Sequence, residues 1–378
     1  MLKRLSVVSV FLSALFAASA VLAQDTTITV KKFDPYASIR VFLGYHNTDP
    51  AKPAKGETEL INRLQSNTRF GAKMEIEGVK AHVEFGLNTN SAGDPAYLRL
   101  AYATYDFNGI QFMAGQNYTP YFFPAVGDYA DDNNLNGFGT SYDGRQQQIM
   151  VSWNGLYVSL IETSKTTTGV SGSGTDGVIK DTTVQYPKVA AGYDFKSGAN
   201  VFGIGGAYNT VKINDQGSVM DGKKLASWIT YAHANLALGD FTLRGNAMYG
   251  VNTGNFGLVS SPKAANADSI AAVSMPTEVV VDVDKFEDTK HFEGFINPMY
   301  KITQSLLIGL GAGYAQVKND AYAKTDKQVA YFINAKYNIN KYFHIAPEFA
   351  YRDFIKDETG ADEGTEYYAG AKVQFDVF

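Results

Sequence analysis

Apolar and polar side chains alternate at every second residue over many separate stretches of this chain, a period that fits the two faces of a β-strand and not those of a helix. In Gln328 to Ile339 the odd positions are Val329, Tyr331, Ile333, Ala335, Tyr337 and Ile339, while Gln328, Asn334, Lys336 and Asn338 fall among the even ones. Val79 to Leu87 divides in the same way, with Lys80, His82 and Glu84 on its wet side. So does Tyr342 to Arg352, with His344, Glu348 and Arg352. Each stretch predicts a strand with one greasy and one wet face.

The connections separate a soluble sandwich from a barrel. Roughly sixteen segments of about 9 to 12 residues are joined by connections that alternate strictly in length. Short turns fall at Glu77-Gly78, Asn108-Gly109, Asn154-Gly155, Lys196 to Ala199, Leu238 to Asp240, Ile302 to Gln304 and Asn338 to Lys341. Several carry glycine where a tight hairpin needs positive φ. Between them lie longer connections at His46 to Gln65, Asn88 to Pro95, Asn117 to Gly144, Ser164 to Gln185, Ile213 to Gly222, Val251 to Lys290, Asn319 to Thr325 and Phe354 to Thr365. Outer-membrane barrels have this organisation. A bilayer core offers no water to backbone amides, so a spanning sheet must close on itself and turn its apolar side outward. The expected fold is all-β: a closed antiparallel transmembrane β-barrel of about 16 strands in an up-and-down meander. A lumen that wide cannot be filled by strand side chains and holds water. Aromatic residues near the turn ends, among them Tyr105, Phe107, Trp153, Phe195, Tyr300, Tyr337 and Tyr342, suit a belt at one headgroup layer.

The chain opens with Lys3 and Arg4, an apolar run from Val7 to Phe16 and small residues down to Ala23, which predicts a secretory signal over 1–23 and a single barrel domain over 24–378. Zero cysteines exclude disulfides, thiolate metal sites and thiol catalysis. Without Lys3 and Arg4 the formal charge moves from −5 to −7, so no basic excess points to nucleic acid.

Ser66-Asn67-Thr68-Arg69-Phe70-Gly71-Ala72-Lys73 resembles the second strand of the Gram-negative porins, the sixteen-strand general diffusion channels. Gly115-Gln116-Asn117-Tyr118-Thr119-Pro120 is similar to the strand end that opens their long third loop, and Phe378 to their C-terminal aromatic. The resemblance implies export through the periplasm to the outer membrane and passive diffusion of ions and small hydrophilic solutes. It also implies contact with outer-membrane lipid and lipopolysaccharide, no cofactor and a homotrimer. This chain departs from the family at Tyr121 to Asp128, which replaces an acidic Pro-Glu-Phe-Gly-Gly turn. It departs again in a short second loop and in the parity of Phe378, opposite to the apolar face Tyr367, Ala369, Ala371, Val373, Phe375 and Val377. Two other readings stay open: a substrate-selective porin for an anion, sugar or other nutrient, and a plugged structural or adhesive barrel with the long sixth loop as its binding element.

The resemblance further implies that loop 3, about 117–144, folds into the pore and faces a basic wall. Lumen parity puts Arg40, Arg69, Lys73 and Arg99 on the early strands, and loop 3 supplies Asp128, Asp131 and Asp132. Opposed charges across a constriction would order water and sort solutes by size and charge; the plain alternative is solvated lumenal charge. Acids without Lys or Arg before Arg145 incline the expectation toward cations, and lumenal Lys80, Lys188, Arg244 and Lys336 oppose it. No catalytic or metal site is expected. His344 and Glu348 sit about 13 Å apart along one strand, and Ser227 about 20 Å from His233. The acidic eighth loop, including Asp357, Glu358, Asp362 and Glu363, reads as a solvated surface, with divalent bridging to lipopolysaccharide as the alternative. Gly309, Gly311 and Gly313 are followed by no helix pattern, so they are expected to thin the lumen wall and not to cradle a nucleotide.

Overall fold

Antiparallel backbone pairing runs from strand to strand around the whole molecule in the computed structural model, which describes residues 30–51, 55–87, 96–129, 133–163, 182–214, 222–258, 280–282, 285–319, 323–357 and 359–377. The strands are β1 (Val30–Pro50), β2 in two runs (Glu57–Leu64 and Arg69–Ile76), β3 (Val79–Leu87), β4 (Ala96–Phe107), β5 (Ile110–Tyr118), β6 (Arg145–Trp153), β7 (Leu156–Ile161) and β8 in two runs (Thr182–Val184 and Lys188–Ser197). They continue as β9 (Asn200–Ile213), β10 (Lys224–Leu238), β11 (Phe241–Val251), β12 (Thr289–Lys301), β13 (Leu306–Asn319), β14 (Asp326–Asn338), β15 (Phe343–Lys356) and β16 (Gly364–Val377). The last strand pairs with the first from Ala37↔Val377 to Pro50↔Gly364, and β1 pairs on its other edge with both runs of β2. The result is the expected closed barrel of 16 antiparallel strands. The expected signal segment 1–23, Asn88 to Pro95, most of the fourth and sixth loops and Phe378 lie outside the described residues.

Parity divides the side chains as the alternation requires. On β14, Tyr331, Ile333 and Tyr337 are about half exposed and face outward, while Gln328, Ala330, Phe332 and Asn334 are buried inside. Tyr105, Phe107, Trp153, Phe195, Tyr300, Tyr337 and Tyr342 all lie exposed on the outer face near the short turns. The tightest turns adopt positive φ at both central residues: Glu77 and Gly78 at 48° and 85°, and Asn154 and Gly155 at 47° and 89°. That pair of angles gives a hairpin turn whose twist matches the flanking strands.

The first loop is shorter than the sequence suggests. Pairing of β1 with β2 persists to Thr48↔Glu57, so strand geometry extends through much of the expected loop His46 to Gln65. Polar Asn47, Thr58 and Asn62 occupy outward positions there. These strand ends rise into water, where the apolar face is no longer needed and the alternation fades although the ladder continues. The interruption comes later, at Gln65–Thr68, where the Gln65 amide donates to the Arg40 carbonyl at 2.8 Å and the Thr68 amide to the Gln65 carbonyl at 2.9 Å.

A charge placed on the outer face at mid-strand should be costly. Ile333→Arg is expected to destabilise the barrel by about 2–4 kcal/mol, and Ile333→Val by less than about 1.5 kcal/mol, measured by reversible urea unfolding in lipid vesicles.

Candidate functional site

Loop 3, between β5 and β6, turns into the lumen and docks on the far wall. Its Val126 amide donates to Asn297 Oδ1 of β12 at 2.8 Å, and its Tyr129 amide to Glu348 of β15. Arg244 of β11 donates to the Pro124 carbonyl at 2.6 Å and lies 3.7 Å from the Phe123 ring centroid. Gln328 of β14 donates to the Gly137 carbonyl. The loop's Ala125, Leu135 and Phe138 pack with Phe42, Ile61, Phe295, Phe332, Phe354 and Tyr368 into an apolar cluster inside the barrel. The glycine row of β13 makes room for it: a Cβ at Gly313 would lie 1.8 Å from the Phe138 carbonyl oxygen, and one at Gly311 would meet the Phe332 ring at 2.0 Å.

The stem of the loop is held separately. Thr119 Oγ1 donates to Asp143 Oδ1 at 2.8 Å, Tyr121 donates its hydroxyl to the same carboxylate, and Lys188 Nζ of β8 lies 3.5 Å away. Burial holds the Asp143 carboxyl above its ordinary range, outweighing Lys188 and the hydroxyls. The start of loop 6 folds inward too. Phe256 and Leu258 join Tyr121, Ile161, Ile229, Tyr231 and Met248 in a second cluster, and Lys188 Nζ donates to the Phe256 carbonyl at 3.1 Å.

Between loop 3 and the early strands a cavity of about 580 Å³ remains. Arg40 of β1, Arg69 of β2, Arg99 of β4 and Arg145 of β6 line it, together with Lys372 of β16, the strand paired with β1, and Lys336 of β14. Among the described residues no carboxylate lines this space. Glu84 of β3 stands behind the arginines, 3% exposed, accepting from Arg99 Nε at 2.7 Å and from the Tyr36 hydroxyl at 2.6 Å, with Arg69 Nε at 3.5 Å.

Of the residues expected at a constriction, Arg40, Arg69 and Arg99 thus come together at the cavity. Lys73 lies on the same face of β2 but outside the lining, 6.0 Å from the Tyr36 ring centroid. Asp128 does not oppose the early arginines. It is 1% exposed and forms a 2.7 Å ion pair with Arg352 Nη2 of β15, whose Nη1 donates to Glu366 of β16 at 2.9 Å. Asp128 has φ 56°, a left-handed conformation that turns the loop back toward the wall. A carboxylate buried at that depth keeps its charge only with compensating partners, and the wall supplies a guanidinium. Asp131 and Asp132 lie outside the described residues. Arg145, Lys372 and the loop rings Phe122 and Tyr142 also line the cavity and had not been singled out for it. Lys372 carries a readable signal, because it shares lumen parity on the last strand.

Residues 9–294 match the model of the Gram-negative porin family. No curated protein matches the sequence. Among solved structures, the outer membrane channel DcaP of Acinetobacter baumannii superposes with TM-score 0.67 at 16% identity, over 92% of this chain and 97% of that one. The anion-selective porin from Comamonas acidovorans gives TM-score 0.55 at 13% identity, over 91% and 99%. The trimer form of OmpT from Vibrio cholerae gives TM-score 0.55 at 13% identity, over 92% and 99%. At these identities the likeness is one of fold.

The Asp128–Arg352 contact anchors the loop. Arg352→Ala, which removes the guanidinium that Asp128 and Glu366 share, is expected to cost about 3–5 kcal/mol in vesicle unfolding titrations and to raise open-channel noise. Adding Asp128→Ala to it should cost less than the sum of the two single changes.

Proposed function

Because this chain belongs to the Gram-negative porin family and forms a diffusion channel of the outer membrane, we propose that its pore favours anions over cations. The observation that carries this is the lining: six cationic side chains, Arg40, Arg69, Arg99, Arg145, Lys336 and Lys372, surround the cavity beside loop 3, with no carboxylate among its described lining residues. Glu84 offsets part of the charge of Arg69 and Arg99 from behind and leaves a net positive field in the passage. The same fold accommodates such a preference in the Comamonas acidovorans porin, which is described as anion-selective. Small hydrophilic solutes pass by diffusion, with loop 3 limiting the width. Outer-membrane lipid and lipopolysaccharide surround the barrel, and a homotrimer is the proposed assembly. No cofactor enters this function.

A plugged barrel is the second reading, favoured by the two apolar clusters that loops 3 and 6 build inside the lumen.

Both readings meet in one measurement, the planar-bilayer conductance of the purified, folded protein with its reversal potential across a KCl gradient. One unit charge about 4 Å from an ion in water is worth ~1 kcal/mol, or about five-fold in occupancy. Chloride gains and potassium loses that factor, so after screening the expected chloride-to-potassium permeability ratio is on the order of 10 at 0.1 M. It should fall toward 1 at 1 M, where the Debye length shrinks from about 10 Å to about 3 Å. Arg145→Glu should lower the ratio at 0.1 M. A reversal potential of potassium sign would overturn the anion reading, and a silent bilayer with protein shown folded by heat-shifted gel mobility would favour the plug.

A further inference from the structure

The cavity has two unlike sides. Its barrel side is basic, whereas its loop side presents Phe122, Pro124 and Val126. Phe122 belongs to a group of three rings. It stacks on Tyr118 at 4.5 Å and 13°, and it meets Tyr142 at 5.1 Å and 51°. Tyr118 and Tyr142 stand at the two ends of loop 3, so a purely structural reading makes the rings a clasp for the stem. A clasp would be complete with all three rings packed away from water. Instead each of them also lines the cavity and is only partly buried.

Ring surface offered to a water-filled passage does nothing for a hydrated inorganic ion, but it does serve an apolar body. Cations stand within a ring's length of it. The Arg145 guanidinium carbon is 5.5 Å from the Tyr118 ring centroid, and Arg99 Nη2 donates to the Tyr118 hydroxyl at 3.1 Å. An open volume of about 580 Å³ falls within the range of pockets that hold small organic molecules.

We propose that Tyr118, Phe122 and Tyr142 form a binding shelf for organic anions with an aromatic body, the ring stacking on Phe122 while Arg145 and Arg99 hold the carboxylate. The shelf makes these three residues determinants of which anions pass. It rests on the anion-preferring reading of the pore and adds to it a distinction that charge alone cannot make.

The test compares two monovalent acids of nearly equal size and charge, benzoate and cyclohexanecarboxylate, as blockers of the KCl current through the full-length folded protein. Benzoate is expected to reach half-block at a concentration about 5-fold lower, as stacking on an aromatic surface requires. Phe122→Leu should bring the two acids to within about 2-fold of each other, and Tyr142→Leu serves the same purpose should the first variant fail to show heat-shifted mobility. Equal block by the two acids in the unaltered protein overturns the shelf, and so does a preference for benzoate that survives in the folded variants. The wild-type reversal potential tells the two failures apart. Chloride sign with equal block sinks the shelf alone, and potassium sign sinks the anion reading beneath it.

Discussion

Every backbone amide that crosses the hydrocarbon must find its partner within the sheet, and the pairing of β1 with β16 is what completes that set. Without this seam two strands would present unpaired edges to lipid. With it the chain is committed to a cylinder whose outer surface is apolar and whose polar side chains have only the lumen to occupy. A cylinder of 16 strands is too wide for those side chains to fill. The inward folding of loop 3 and of the start of loop 6 follows from this geometry: their apolar residues obtain burial only by packing against the wall.

Two populations of charge stand out inside the barrel. Asp128, Asp143 and Glu84 are each nearly buried, and each lies beside a cation at the wall: Arg352, Lys188 and Arg99 respectively. These carboxylates position the loop and brace the early strands. The cations around the cavity form the second population and shape the field that a passing ion meets. Counting Asp128 and Asp143 by sequence therefore overstates their weight in the passage, because a carboxylate beside a buried cation contributes little field beyond its own pair.

The barrel was largely legible in the sequence because its determinants are local. Alternation over β14 sets which side of each residue meets lipid, and Asn154-Gly155 sets a turn, each within a few positions. The β1–β2 boundary was less legible, because strand ends above the membrane need no apolar face. The site was half legible. Parity puts Arg40, Arg69 and Arg99 on the lumen side, where they line one cavity, but it puts Lys73 there too, outside that lining. The partner of Asp128 lies 224 residues away on β15, and nothing in the local pattern of either residue announces the other. The break at Gln65–Thr68 is similar: Gln65 donates to the Tyr129 carbonyl of loop 3, a contact that exists only once the loop crosses the lumen.

The anchoring of loop 3 also imposes an order on assembly. The loop follows the fifth strand, yet the contacts that hold its tip reach 171 residues ahead to Asn297, 219 to Glu348 and 224 to Arg352. None of those partners exists as a surface until the later strands are in register, and loop-closing contacts of such separation form late. A barrel that has just closed is accordingly wider than the finished one, and the narrowing of its passage is the final act of maturation.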